Sequence, residues 1–168
     1  MKRIVIFMLL LTLGCTAGLL AQNGFKRAEQ SGIVFEWKIE GDEITIRLSA
    51  PTEGWIAVGF NPSRMMKDAD FKMAYVDGND VVLQDHYGTG NISHKQDTDV
   101  GGSDDFELIS GKEEDGWTSV EFKMPLDSGD SNDTPLVEGE EAHILLAYAS
   151  RDNLSRKHSR RTSINIEL

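Results

Sequence analysis

The strongest constraint on this chain is a period of two. Ile33, Phe35, Trp37 and Ile39 alternate with Val34, Glu36, Lys38 and Glu40, and after Gly41-Asp42 the residues Ile44, Ile46 and Leu48 alternate with Thr45, Arg47 and Ser49. Successive side chains of an extended strand point to opposite faces, so these runs predict a β-hairpin with one buried face. Gly41 supplies the positive φ that a tight hairpin turn needs.

The same punctuation continues along the chain. Trp55–Phe60 is aromatic and β-branched with glycines at 54 and 59, and Phe71–Val76 alternates apolar and polar residues. Between them Asn61-Pro62-Ser63 is turn chemistry, which places Met65 and Met66 on a loop leaving a sheet. Further strands are predicted at Val81–Tyr87, Phe106–Ile109, Trp117–Met124, His143–Ala149 and Ser163–Leu168, with Trp117, Val120 and Phe122 as core residues. Gly88–Asp105 reads as a long polar loop able to cover a ligand, and Leu126–Glu141 as irregular acidic chain. No segment has the pattern of a long helix. Short strands between Gly, Asp, Asn and Pro turns indicate an all-β fold, an antiparallel immunoglobulin-like β-sandwich of about eight to eleven strands.

At 168 residues the chain supports one domain. Lys2 and Arg3 precede the apolar run Ile4–Leu11 and then small residues up to Ala21, the order of a secretory signal. The expected division is 1–21 signal, 22–31 polar tether and 32–168 sandwich. Three fates of the segment are open: cleavage after Ala21, lipidation at Cys15 in a degenerate lipobox, or retention of Ile4–Ala21 as an anchor. The expected location is periplasmic or extracellular. Cys15 is the only cysteine, so the mature domain has neither a disulfide nor a thiolate metal site. Losing Lys2 and Arg3 takes the formal charge from −11 to −13, which argues against nucleic acid and anionic membrane surfaces and favours a basic or neutral partner.

Enzymatic constellations are thin. There is no nucleophile elbow, phosphate loop or His-Glu-x-x-His, and Asp68, Asp70, Asp77, Asp80 and Asp85 fall at turns and strand ends where solvated carboxylates are usual. His86, His94 and His143 read as structural, and His158 sits in the basic run Ser155–Arg161. Methionines commonly fill core gaps, but a methionine and a histidine on separate loops are also a recognised axial pair for haem iron. Without Cys-x-x-Cys-His, any haem would be b-type and non-covalent.

In order, Gly54-Trp55-Ile56-Ala57-Val58-Gly59-Phe60, Met66-Lys67-Asp68-Ala69-Asp70, Gln84-Asp85-His86-Tyr87, Phe122–Asp130, Leu146-Ala147-Tyr148-Ala149 and His158 resemble the DOMON domain family. The resemblance spans roughly Gly32–Leu168. It implies a β-sandwich that binds haem b or a sugar, commonly outside the cytoplasm. In haem-binding members a loop methionine and a C-terminal histidine are the axial ligands. These correspond to Met66, with Met65 in reserve, and to His158, while Trp55, Phe60, Phe71 and Tyr75 would offer apolar walls. Lys123 stands where arginine is frequent and Thr162 where glycine is frequent. The resemblance does not choose between haem and sugar; with Met66 and His158 as the ligand pair the preferred expectation is an electron-transfer module with an extracytoplasmic redox partner, not an enzyme. A sugar-binding or small-ligand module and a purely structural domain are the competing expectations.

Overall fold

A computed structural model describes residues 24–168. The signal segment 1–21 and Cys15 lie outside the described residues. Eleven strands run β1 (Lys26–Gln30), β2 (Ile33–Glu40), β3 (Glu43–Ala50), β4 (Ile56–Phe60), β5 (Asp70–Asp77), β6 (Asp80–Gly90), β7 (Ser93–Gln96), β8 (Glu107–Glu114), β9 (Trp117–Pro125), β10 (Glu141–Tyr148) and β11 (Arg160–Glu167). They form a five-stranded sheet, β1-β2-β3-β9-β8, and a six-stranded sheet, β11-β10-β4-β5-β6-β7. Every pairing is antiparallel. The fold is a β-sandwich.

The predicted hairpin is β2-β3, with Phe35 opposite Leu48 and Trp37 opposite Ile46. Its apolar row meets Val120, Phe122 and Met124 of β9, and across the sandwich Ile56, Val58 and Phe60 of β4 and Ile144 and Leu146 of β10. Alternation thus fills the space between the sheets from both sides.

Several elements differ from the sequence reading. Lys26–Gln30 belongs to the predicted tether but forms β1 and pairs with β2, because Ala28 packs on the core and the backbone closes an otherwise open edge. The predicted loop after Gly88 is largely ordered: β6 runs to Gly90, β7 returns along it, and Asp97–Val100 makes one 3-10 turn. Trp117 is 38% exposed, outside the core, because the inward row of β9 is Thr118, Val120, Phe122 and Met124.

Thr118 is fully buried at one end of that row, its hydroxyl 2.8 Å from the Thr52 carbonyl oxygen. Thr118→Val keeps the shape and orphans this buried acceptor. It should cost about 1–3 kcal/mol in urea unfolding with an unchanged m-value.

Candidate functional site

On β4, Ile56, Val58 and Phe60 face inward, so Ala57 and Gly59 face out. On β5, Ala74 faces inward while Phe71 and Met73 face out. The outward side of the six-stranded sheet is therefore apolar. Trp55, Ala57, Ala69, Phe71, Met73, Ala149 and Leu154 form a second buried cluster there, with Met66, Tyr75, Leu145 and Ala147 packed against it. Cross-strand register sets Ala147 beside Ala57, two small side chains, and Leu145 beside Gly59. The Phe71 ring lies against Gly59, where an added Cβ would come within 2.4 Å of it.

Two loops cover this face. The first, residues 61–69, carries the methionines. Asp68 N–H donates to Gly88 O at 2.8 Å and Gly88 N–H donates to Ala69 O at 2.8 Å, tying the loop to β6. Tyr87 donates its hydroxyl to Asp68 at 2.9 Å and Ser63 donates to the same carboxylate, and these bonds, the serine's first, hold Asp68 below the usual carboxylate range. Met66 is half-buried against the apolar face, whereas Met65 has φ 57° and is 46% exposed. Met66 is thus the methionine the loop directs inward.

The second loop, residues 149–159, carries His158. Ala149 N–H donates to Trp55 O at 2.9 Å, Trp55 N–H to Arg151 O at 3.2 Å, and at the far end Ser159 N–H to Tyr148 O at 2.8 Å. Between these anchors Leu154 is buried in the cluster that Met66 joins. His158, four residues on, is half-buried. Burial, then the nearby charges of Arg161 and Lys157, lowers its pKa and favours the neutral imidazole. The fold brings the two candidate loops onto one face.

The expected walls divide. Trp55, Phe71 and Tyr75 belong to the outer cluster, but Phe60 is fully buried between the sheets and is no part of this face. The Trp55 indole Nε1 is buried there without a hydrogen-bond partner among the described residues.

Two further groups were not legible as sites. Lys72, 1% exposed, points between the sheets and pairs with Asp70 at 2.5 Å and Asp85 at 2.7 Å, with Asp133 at 4.0 Å. Asp70 and Asp85 are therefore buried partners and not the solvated carboxylates expected at strand ends. Desolvation pushes both carboxyls up, Asp85 to about 8, although Lys72 opposes the rise. The second group is a histidine pair. His86 on β6 and His94 on β7, expected to be structural and in a flexible loop, lie Nδ1 to Nδ1 at 3.0 Å. Burial lowers both pKa values, that of His86 to about 4. His143 is exposed on β10 and its backbone N–H donates to Asn61 Oδ1.

Among known proteins, the chain is similar to MOXD1 homolog 2 of Drosophila melanogaster, 28% identical over 116 residues, covering 69% of this chain and 15% of that protein. It is also similar to DBH-like monooxygenase protein 1 of Homo sapiens, 30% identical over 86 residues, covering 51% of this chain and 13% of that protein. The match therefore spans only a small part of the length of these curated relatives. Among solved structures, the fold resembles the cytochrome b domain of pyranose dehydrogenase from Coprinopsis cinerea, with TM-score 0.64, 15% identity and coverage of 84% of this chain and 80% of that one. It also resembles the cytochrome domain of Myriococcum thermophilum cellobiose dehydrogenase, with TM-score 0.65, 12% identity and coverage of 86% and 81%. The DOMON domain family model matches residues 29–149, from the end of β1 through the strands that build the outer apolar face to Ala149, and the chain belongs to the DOMON domain family.

Proposed function

We propose that this domain binds haem b on the outer face of its six-stranded sheet, with Met66 and His158 as axial ligands, and serves as an exported electron-transfer module. One observation carries the reading: the apolar outward face is covered by the two loops that bear those side chains. The residues suit such a group. Ala57 and Ala147 leave a shallow floor, Met73, Phe71 and Leu154 belong to the same cluster, and the buried Trp55 N–H is free to donate to an acceptor. The names of the structural neighbours, both cytochrome domains, agree with this chemistry.

Haem bound there supplies a one-electron iron couple. The chain's own part is to hold and exclude. Met66 presents a soft thioether, which favours the reduced metal, and His158 presents a neutral imidazole whose lone pair is available at pH 7. The buried cluster keeps water from the face. Held by Met66 and His158 together, such a group would have no side left open to a substrate, and on this reading the domain would be a relay and not itself an enzyme. Its net negative charge, −11 over the full sequence and more negative once Lys2 and Arg3 are removed, would steer a basic redox partner. Sugar binding is less well supported, because stacking needs open aromatic faces and Trp55 and Phe71 are buried.

Titrating haemin into the mature protein should give a Soret band that saturates at one haem per chain. Absence of saturable binding would overturn the proposal.

A further inference from the structure

His86 and His94 face each other in the lining of an open cleft of about 720 Å³, lined also by Lys95, Asp99, Leu154 and Ser155. Their tautomers follow from one contact. Gln84 Oε1 lies 3.0 Å from His86 Nε2, so that nitrogen carries the proton and His86 Nδ1 has a free lone pair. The 3.0 Å contact between the Nδ1 atoms then requires His94 to donate from Nδ1. Neither ring is committed to a carboxylate.

We infer that this pair is a binding site for a divalent transition-metal ion, with the Nδ1 atoms of His86 and His94 as its two protein ligands. Two cis nitrogens, each about 2.0–2.1 Å from a metal at angles between square-planar and tetrahedral, stand roughly 2.9–3.4 Å apart. The observed 3.0 Å falls in that span without any movement of the strands. Binding shifts the His94 proton from Nδ1 to Nε2, a change between neutral tautomers that releases no net proton. Imidazole pairs suit late first-row ions, so copper(II) binds more tightly than zinc(II), and water completes the coordination.

Burial, and for His86 also the neighbouring His94, lowers both pKa values and keeps the rings neutral and therefore able to ligate, while Asp99 is the carboxylate that acts on His86 in the opposite direction. Gln84 is the outer partner that metal-binding histidines use to fix ring orientation. His86 is 8% exposed and its strand position fixes its backbone, so one ligand is preorganised, while half-buried His94 leaves the cleft side open. The cleft adjoins the outer apolar face, sharing Leu154 with it and placing the His94 ring 6.1 Å from that of Phe71.

The test is calorimetric titration of the chelator-treated, haem-free mature protein with copper(II) and with zinc(II), together with electron paramagnetic resonance of the copper form. One ion per chain and coupling to two imidazole nitrogens are expected. His94→Gln should weaken binding at least about 100-fold and Gln84→Leu about 10-fold, while His143→Gln leaves it unchanged. If His94→Gln fails to fold, the nitrogen count on the wild type still decides. No binding, coupling to fewer than two nitrogens, or unchanged affinity in folded His94→Gln would overturn the assignment. So would loss of the haem Soret band in His94→Gln, which would give the pair to the haem face instead. Failure of metal binding alone leaves the Met66 and His158 proposal standing.

Discussion

Replacing Lys72 with methionine is expected to destabilise the domain by about 3–5 kcal/mol at pH 7, because it leaves buried carboxylates without their cation. Lys72 is held between the sheets by Asp70 and Asp85, with Asp133 near, and these interactions raise its pKa. The pH dependence follows from the carboxyls. Asp85 is raised in the folded state to about 8 from its ordinary value near 3.8, so between these limits the folded chain holds more protons than the unfolded chain. The contribution of Asp85 to stability is therefore greatest in acid and falls as pH rises through that window. Without Lys72 the carboxyls rise further. The loss in Lys72→Met should accordingly be smaller at pH 5 than at pH 8, as read by guanidinium unfolding at both pH values. Adding Asp70→Asn and Asp85→Asn should restore much of the stability. A uniform loss at both pH values would show that packing, and not charge, is what Lys72 provides.

The second large effect concerns two glycines that seat the ligand loops. A Cβ at Gly88 would lie 1.8 Å from the Met66 carbonyl oxygen, and one at Gly54 would lie 2.2 Å from the Arg151 backbone nitrogen. Both neighbours are backbone, so no rotamer change relieves the contact. Gly88→Ala should displace the methionine loop and Gly54→Ala the start of the histidine loop, each at a cost of about 1–3 kcal/mol or more. The functional consequence separates them from ordinary core variants. Each should weaken haem binding by more than it lowers the melting temperature would suggest, whereas Thr118→Val should leave haem affinity unchanged. Gly78→Ala provides a control, since nothing lies within 4 Å of its added Cβ and its φ of 62° supplies the only strain.

Much of the fold was legible because β2, β3 and β9 place apolar residues at alternate positions, β10 is a continuous apolar run, and turn residues stand between them. Alternation gives two faces but does not say which is inside. On β5 the larger apolar residues, Phe71, Met73 and Tyr75, face out, and the inward row includes Lys72. Asp70 and Asp85 were expected in solvent because they stand near strand ends, where carboxylates are usually solvated. The inversion holds because loops 61–69 and 149–159 cover the outer face while carboxylates from three separate segments surround the lysine. No local pattern records either arrangement. Phe60 was misplaced for the same reason: beside Gly59 its aromatic ring suggests a pocket wall, yet the parity of β4 sends it inward. The histidine pair is closed by a β6-β7 hairpin with a shifted register, which the polar, glycine-rich composition of that stretch conceals. Met66 and His158, by contrast, were found through the family resemblance, and the fold adds that their loops share one face.

The central claim is tested most directly by visible absorption spectra of the exported protein, oxidised and dithionite-reduced, for wild type, Met66→Ala and His158→Ala. The expected result is a sharp low-spin reduced spectrum in the wild type that becomes high-spin or haem-free in both variants, while Met65→Ala keeps the wild-type form. A haem-loaded wild type whose spectrum is unchanged by Met66→Ala or His158→Ala would contradict the assignment of that ligand, and a wild type with no Soret band after haem is supplied would contradict the cytochrome function itself.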